Sequence, residues 1–484
     1  MGIVIRNSAW NLVITASGFV LGALNVLVLA TTYLEDQYYG LWGYVLSMGF
    51  LLFPFMSFGI HNTIVKFYSS FDDKEKRDAF LIKMLVWPVL AIVPLTVGFW
   101  LLEEPITLVL AQKNAIVGDF LWHILAVAIF EAYFEIFYAW TKVHMKTISG
   151  NFLKEVFYRA GATISLFLLA AGFIDQVAFI NSLVLIYGLR MVVMCCLALR
   201  TYKPQVIWQP VAQTRELVTY SLLMIIAGSV STALLDLDKA MINNYKILDQ
   251  ISYYNVAVFI AAVIAVPARG MAQITHPLTA GYLNSNNIAA LEDLYKRSSL
   301  NLSIISGFLL IIIVCNVREF YNFLPPEFAI AIPVVFFIAA VKYVESLLGS
   351  NNAILYNSNL YKVTLWLGLV LTVVAVALNI SLIPKYGITG AAVATCIAYI
   401  SYGFIKAWYV HKQMRIHPWT AGTWQSIAII ILFVQCFYFW DFPWSPVMNI
   451  GLKSTLITAL YALVVYKSRI SKEINALVDK RLKK

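Results

Sequence analysis

TLWLGLVLTVVAVALNISLIPKYGITGAAVATCIAYISYGF, residues 364–404, contains a single charged side chain, Lys385. Two apolar runs, each about the 20 residues a helix needs to cross a bilayer, flank Pro384-Lys385-Tyr386-Gly387. Proline ends the first helix and glycine permits a tight reversal. Gly390-Ala391-Ala392 then lets the returning helix pack closely. The segment reads as a membrane hairpin.

The rest of the chain follows the same pattern. With 61% hydrophobic residues, 12% charged residues and a mean hydropathy of +0.78, it lies far from soluble domains, where roughly a quarter of residues are charged. The apolar stretches lack period-2 alternation, so they predict spanning helices and not barrel strands, about 14 in all. An even count places both termini on one side. Basic clusters, Lys74-Lys76-Arg77 and Lys480-Arg481-Lys483-Lys484, fall on that side, whereas Lys113, Lys246, Arg318, Lys385 and Lys453 each stand alone in an opposite loop. By the positive-inside rule the chain is a multi-pass protein with both termini cytoplasmic. The net charge of +10 is then a topology signal that also favours anionic membrane lipids, and nucleic acid is not an expected partner. All five cysteines lie within spans as packing residues. The first span, preceded by Arg6, is too long for a signal-peptide core and stays as a helix.

A polar connection at 200–216, with Pro204 and Pro210, divides the chain. Residues 1–199 form an N-lobe of six helices and 217–412 a C-lobe of six. Residues 413–470 add two helices, and 471–484 are a basic amphipathic tail at the cytoplasmic surface. Tyr38-Tyr39 recurs as Tyr253-Tyr254, and Tyr187-Gly188 as Tyr402-Gly403, both 215 positions later. One offset at two distant anchors predicts a duplication into parallel repeats, two lobes around a central cavity, which is a transporter's architecture and not an enzyme's. Pro54, Pro88, Pro94 and Pro267 are candidate kinks.

Six basic side chains fall inside the spans: Lys83, Arg159, Arg190, Lys239, Arg269 and Lys342. Each costs about 2.5–3.5 kcal/mol near the bilayer centre, so each needs a reason. At 1.5 Å per residue, Arg190 and Lys342 lie near the midplane, Arg159 and Arg269 roughly two turns from the cytoplasm, and Lys239 toward the outside. Guanidinium and ammonium groups at successive depths suit an anionic phosphate headgroup. Arg159 has an alternative partner in Glu155, four residues earlier, and Lys83 reads as a snorkelling side chain. Among the acids, Glu131 and Glu135 share a helix face, Asp236 and Asp238 lie in the seventh span, and Glu345 follows Lys342 by one turn. Close carboxylates in low dielectric suit exchange of H+ or Na+, while i, i+3 pairing of Asp236 with Lys239 and of Lys342 with Glu345 suits simple neutralisation. Phe130, Tyr133, Phe134, Phe137, Tyr138 and Trp140 crowd the fourth span, fit either for sugar stacking or for packing. No histidine spacing indicates a metal, and no catalytic constellation or cofactor is expected.

Several segments resemble the polysaccharide and oligosaccharide-lipid exporter family, the Wzx-type flippases, in the superfamily that also holds MATE-type multidrug extruders and lipid II flippases. They are Asn379 to Ala392, Leu34-Glu-Asp-Gln-Tyr-Tyr39-Gly40, Phe58-Gly59-Ile60 followed by Asn62, Asp236-Leu-Asp238-Lys239, and Pro326-Glu327-Phe328. The resemblance implies a 14-helix, two-lobed fold in a bacterial inner membrane. It implies as substrate an undecaprenyl-pyrophosphate-linked oligosaccharide, moved from the cytoplasmic to the external leaflet by alternating access, with other polysaccharide-assembly proteins as partners. A lipid II flippase carries several arginines in its first two helices, where this chain offers only Arg6 and Lys66 at their inner ends and His61 nearby. A MATE-type antiporter of cations would call for an acidic cavity. An O-antigen polymerase or ligase would call for arginines in a large external loop.

Overall fold

Every regular element among the described residues is a helix, the one open-ended structure whose backbone hydrogen bonds are all satisfied internally in lipid. The computed structural model describes residues 2–71, 73–210, 214–358 and 360–482. The centre of the interlobe connection (211–213), Lys483 and Lys484 lie outside these, as do the side chains of Arg6, Lys480 and Arg481. Eleven helices among the described residues are long and apolar enough to cross a membrane. The longest, Tyr361–Met414, is two helices joined at Gly387, where φ 60° and ψ −138° break the helical path. The sequence count of about 14 also takes in Tyr158–Ala170 and Thr214–Tyr245, helical over those ranges but not among the eleven.

The chain forms two compact units, Met1–Ser252 and Tyr253–Lys484. In the first, α1 (Gly2–Ala23) continues through a π-helical turn, Leu24–Leu29, and a short helix to Tyr33. Helix α2 (Asp36–Met56) ends just after Pro54, and α3 (Ile60–Phe67) follows a left-handed turn at Phe58 and Gly59. There Gly59 is obligatory twice over: its φ is +64°, and an added Cβ would lie 2.4 Å from the Ser221 carbonyl oxygen. The remaining long elements are α4 (Lys74–Leu101), α5 (Leu121–Val143), α6 (Tyr158–Ala170), α7 (Gln176–Thr201) and α8 (Thr214–Tyr245). Pro88 and Pro94 lie within the continuous α4.

Of the eleven candidate spans, α5 is the most buried. Phe134, Phe137, Tyr138 and Trp140 sit in an apolar core with Phe80 and Met194. Helix α8 packs on α2 through Ser47, which donates to Asp236 at 2.9 Å, and its Asn243 accepts from Asn114 at 2.9 Å. The connection after α7 is fastened to buried Asp78, which accepts from the Tyr202 hydroxyl at 2.5 Å and the Gln205 amide at 3.1 Å.

Helix α9 (Asp249–Ala262), which begins in the first unit and continues into the second, leads through a 3-10 turn into α10 (Val266–Asn284), with Pro267 at its start. The long α11 (Ile288–Tyr321) packs against α10, α12 (Ile332–Leu347), α15 (Ala421–Tyr438) and α16 (Pro446–Ser468). Between them come α13 (Asn351–Asn357) and α14, the broken Tyr361–Met414. The α11 face toward its neighbours carries small hydroxyls: Ser299 donates to the Leu347 carbonyl at 2.6 Å, and Ser303 lies 2.8 Å from Tyr343 Oη and 3.1 Å from Ser426 Oγ. Small residues let membrane helices approach and hydrogen-bond. The amphipathic tail, α17 (Lys472–Leu482), is anchored to α11 by Ser471 to Asn301 at 2.7 Å and Arg297 to Glu473 at 3.3 Å.

Three residues expected in external loops are in helices instead, Lys385 just before the break at Gly387 and two others. Lys453 lies inside α16, fully buried, and donates to Asp441 at 2.5 Å and to the Cys315 carbonyl at 3.1 Å. Arg318 lies in the last turn of α11, 4.7 Å from the Tyr438 ring centre. Charge counting assigns a side of the membrane, and it is blind to an aspartate folding back over a helix start.

The backbone at Gly387 is one that side chains adopt only under strain, so Gly387→Ala is expected to cost about 1–3 kcal/mol. Thermal unfolding in detergent measures this against Gly98→Ala, where an added Cβ meets nothing within 4 Å and no loss is expected. Equal midpoints would remove the strain argument.

Candidate functional site

Two glutamates one turn apart on α5 organise the charges of the first unit. Glu131 and Glu135 are 6% and 5% exposed. As read from the sequence, they share a face, but each has its own cation. Glu131 is ion-paired with the guanidinium of Arg190 on α7, itself only 2% exposed. The guanidinium also lies 4.1 Å from the Phe134 ring centre and 4.5 Å from that of Tyr187. Charge and aromatic faces together offset part of its desolvation.

Glu135 is held by two lysines. Lys154 donates to it at 2.5 Å, and Lys142 stands 3.7 Å away on the same helix, its ammonium 3.8 Å from the Tyr138 ring centre. The carboxylate is enclosed, with 7% of its side chain exposed, while the lysine side chains are 35% and 42% exposed. Two cations sharing one carboxylate leave one positive charge unneutralised, and the accessible side of the cluster is the cationic one. His61, set at the start of α3 by the Gly59 turn, lies within electrostatic range of Glu135 and both lysines.

Lys154 is placed by a second π-helical segment, Leu153–Phe157, ahead of α6. Such widened turns re-aim side chains and recur at functional sites. The segment packs against α1 so closely that a Cβ at Gly18 would lie 2.4 Å from the Glu155 carbonyl oxygen. Arg159, one turn on, bonds Glu155 at 2.9 Å. The π turn of α1 supplies Asn25, which donates to the Arg159 carbonyl at 2.8 Å and accepts from Thr163 at 2.7 Å.

The other residues singled out in the sequence are placed as follows. Lys239 pairs with Asp236 at 3.3 Å, and Asp238 is buried. In the second unit Lys342 pairs with Glu345 at 3.2 Å, the carboxylate being 44% exposed. Arg269, exposed on α10, and half-buried Lys83 on α4 make no ion pair among the described residues. The sequence reading did not assign Lys142 and Lys154 to the site, because both stand at span boundaries where lysine is ordinary. One available signal was the i, i+7 spacing of Glu135 and Lys142, two turns along one face.

The fold is shared with solved structures of the MOP superfamily. The lipid II flippase MurJ, in an inward closed conformation, superposes with a TM-score of 0.72 over 95% of this chain and 99% of its own, at 16% identity. A MATE transporter in complex with MaL6 superposes at 0.59, over 85% of this chain and 96% of its own, at 14% identity. A MOP superfamily transporter from Pyrococcus furiosus, described as having a binding pocket of reverse polarity, gives 0.56 over 85% and 95%, at 13% identity. No protein-family model matches the chain, and no curated protein matches it in sequence.

Removing Glu131 would strand a buried guanidinium. Glu131→Ala is expected to lower stability by about 3–5 kcal/mol, whereas Asp293→Ala, which breaks an exposed pair with Arg297, is expected to cost less than about 1 kcal/mol. Thermal unfolding of the purified variants distinguishes the two; equal losses would mean that the Arg190 pair is not structurally decisive.

Proposed function

We propose that this chain is a flippase for lipid-linked oligosaccharides of the Wzx type, resident in a bacterial inner membrane with both termini cytoplasmic. Its substrate is an undecaprenyl-pyrophosphate-linked repeat unit, and it works as a transporter and not as an enzyme. The observation that carries the reading is the Glu135 cluster, in which Lys142 and Lys154 share one carboxylate and present their exposed side. A pyrophosphate can replace Glu135 as the lysines' partner without either charge being left bare, because charge-assisted bonds to phosphate are at least as favourable as those to carboxylate. A cationic substrate would meet the wrong sign, which disfavours a multidrug antiporter.

Arg190 takes a supporting role in this reading, since Glu131 neutralises it and its guanidinium is enclosed. Arg159 and Lys239 are held by local carboxylates, while Arg269 and Lys342 remain candidate contacts for the headgroup. Coupling to H+ or Na+ would use carboxylates released when the substrate takes their cations, Glu135 first and Glu345 second. The surrounding lipids and other polysaccharide-assembly proteins are the expected partners.

A lipid II flippase is the second reading, favoured by the 0.72 superposition on MurJ. It shares the pyrophosphate chemistry and differs in the sugar-peptide portion.

Reconstitution into liposomes tests both. Lys142→Gln with Lys154→Gln is expected to slow flipping of an undecaprenyl-pyrophosphate-linked oligosaccharide by about tenfold or more, the loss of charged hydrogen bonds to phosphate. Faster transport of lipid II than of the oligosaccharide would favour the second reading. Unchanged rates in the double variant would overturn the cluster's role.

A further inference from the structure

Tyr187-Gly188 and Tyr402-Gly403, 215 positions apart, do the same local work in their own units. In the first, Gly188 admits Phe130 of α5, next to Glu131, since an added Cβ would lie 3.2 Å from the Phe130 ring. The Tyr187 ring lies 4.5 Å from the guanidinium of Arg190, three residues on. In the second, Gly403 admits Leu348 and Val344, where an added Cβ would lie 2.9 and 3.9 Å away, on either side of Glu345. The Tyr402 ring lies 4.2 Å from the ammonium of Lys406, four residues on. Each unit therefore sets a tyrosine, a glycine and a cation on one helix beside a glutamate on the helix packed against it. The offset carries Arg190 to Ile405, so Lys406 is the nearest cation, displaced by one residue.

The two cations differ in how they are neutralised. Glu131 takes the charge of Arg190. Lys406 is only 6% exposed, yet it makes no ion pair among the described residues; its Nζ donates to the neutral amide oxygen of Asn352 at 2.7 Å. Glu345 is close enough to act on Lys406 electrostatically, but the hydrogen bond it accepts comes from Lys342 at 3.2 Å. Glu345 thus has one lysine paired with it and a second only within electrostatic reach. Asn352 is itself exposed, so the Lys406 ammonium lies one amide behind the accessible surface. A buried cation hydrogen-bonded to a neutral amide is incompletely compensated, and an anion that can enter relieves that cost.

We infer that Lys406 and Lys342 form a phosphate-binding site in the second unit, with Asn352 as its movable cover and Glu345 as the carboxylate a phosphate displaces. The site takes the pyrophosphate of the transported lipid, and in that respect it rests on the transport reading above. An anionic phospholipid headgroup offers the same chemistry, and the test separates the two.

The full chain in detergent is titrated with farnesyl pyrophosphate, followed by tryptophan fluorescence, with phosphatidylglycerol as competitor. Lys406→Gln is expected to weaken binding by about tenfold or more and Lys406→Arg to retain most of it. Asn352→Asp places a carboxylate against the ammonium, keeps the lysine satisfied in the fold, and is expected to weaken binding to a similar degree. Unchanged affinity in Lys406→Gln and Asn352→Asp, with Lys154→Gln impaired, would overturn this site and leave the transport reading standing. Absence of pyrophosphate binding by the wild type would overturn the transport reading itself. Displacement by equimolar phosphatidylglycerol would make the site a phospholipid site and overturn its assignment to the substrate.

Discussion

A charge carried into a layer without water has to meet its countercharge inside the protein, and in the first unit Arg190 meets Glu131. That pair links α7 to α5, the most buried candidate span. The aromatic faces of Phe134 and Tyr187 complete the enclosure of the guanidinium. With the pair in place, Glu135 one turn further on is brought to the depth where Lys154 can reach it. The π segment at 153–157 and the close approach of α1 at Gly18 serve that same geometry.

The enclosed pair and the open clusters play different parts. Arg190 with Glu131, and Lys453 with Asp441, are matched charges around which helices are fixed. Lys142 and Lys154 around Glu135, and Lys342 and Lys406 near Glu345, are mismatched by one positive charge in each case. A matched pair has nothing to offer a ligand. A surplus cation does, because binding an anion there completes the neutralisation that the protein leaves unfinished.

Pairs within one helical turn were legible in the chain: Arg159 with Glu155, Asp236 with Lys239, and Lys342 with Glu345 all form as their spacing suggests. So was the break at Gly387, since proline, glycine and small residues act through the backbone in a few consecutive positions. The pairs that organise the candidate site were not legible. Arg190 and Glu131 are 59 positions apart, and Lys154 and Glu135 are 19 apart. Which of several intramembrane cations meets which acid depends on helix rotation, and periodicity gives no absolute rotation for a segment that is apolar on all sides.

The sequence alone determined that this chain is helical and built to cross a membrane, that the long apolar stretch at 364–404 breaks at Gly387, and that charges of both signs are placed where lipid would not tolerate them unaided. These are local properties, fixed by transfer energies and by backbone sterics. The tertiary structure decided that Arg190 is spent on Glu131 and that lysines, Lys142 and Lys154 among them, carry the surplus charge. Neutralisation depends on distances across helices, and those exist only once the helices have packed.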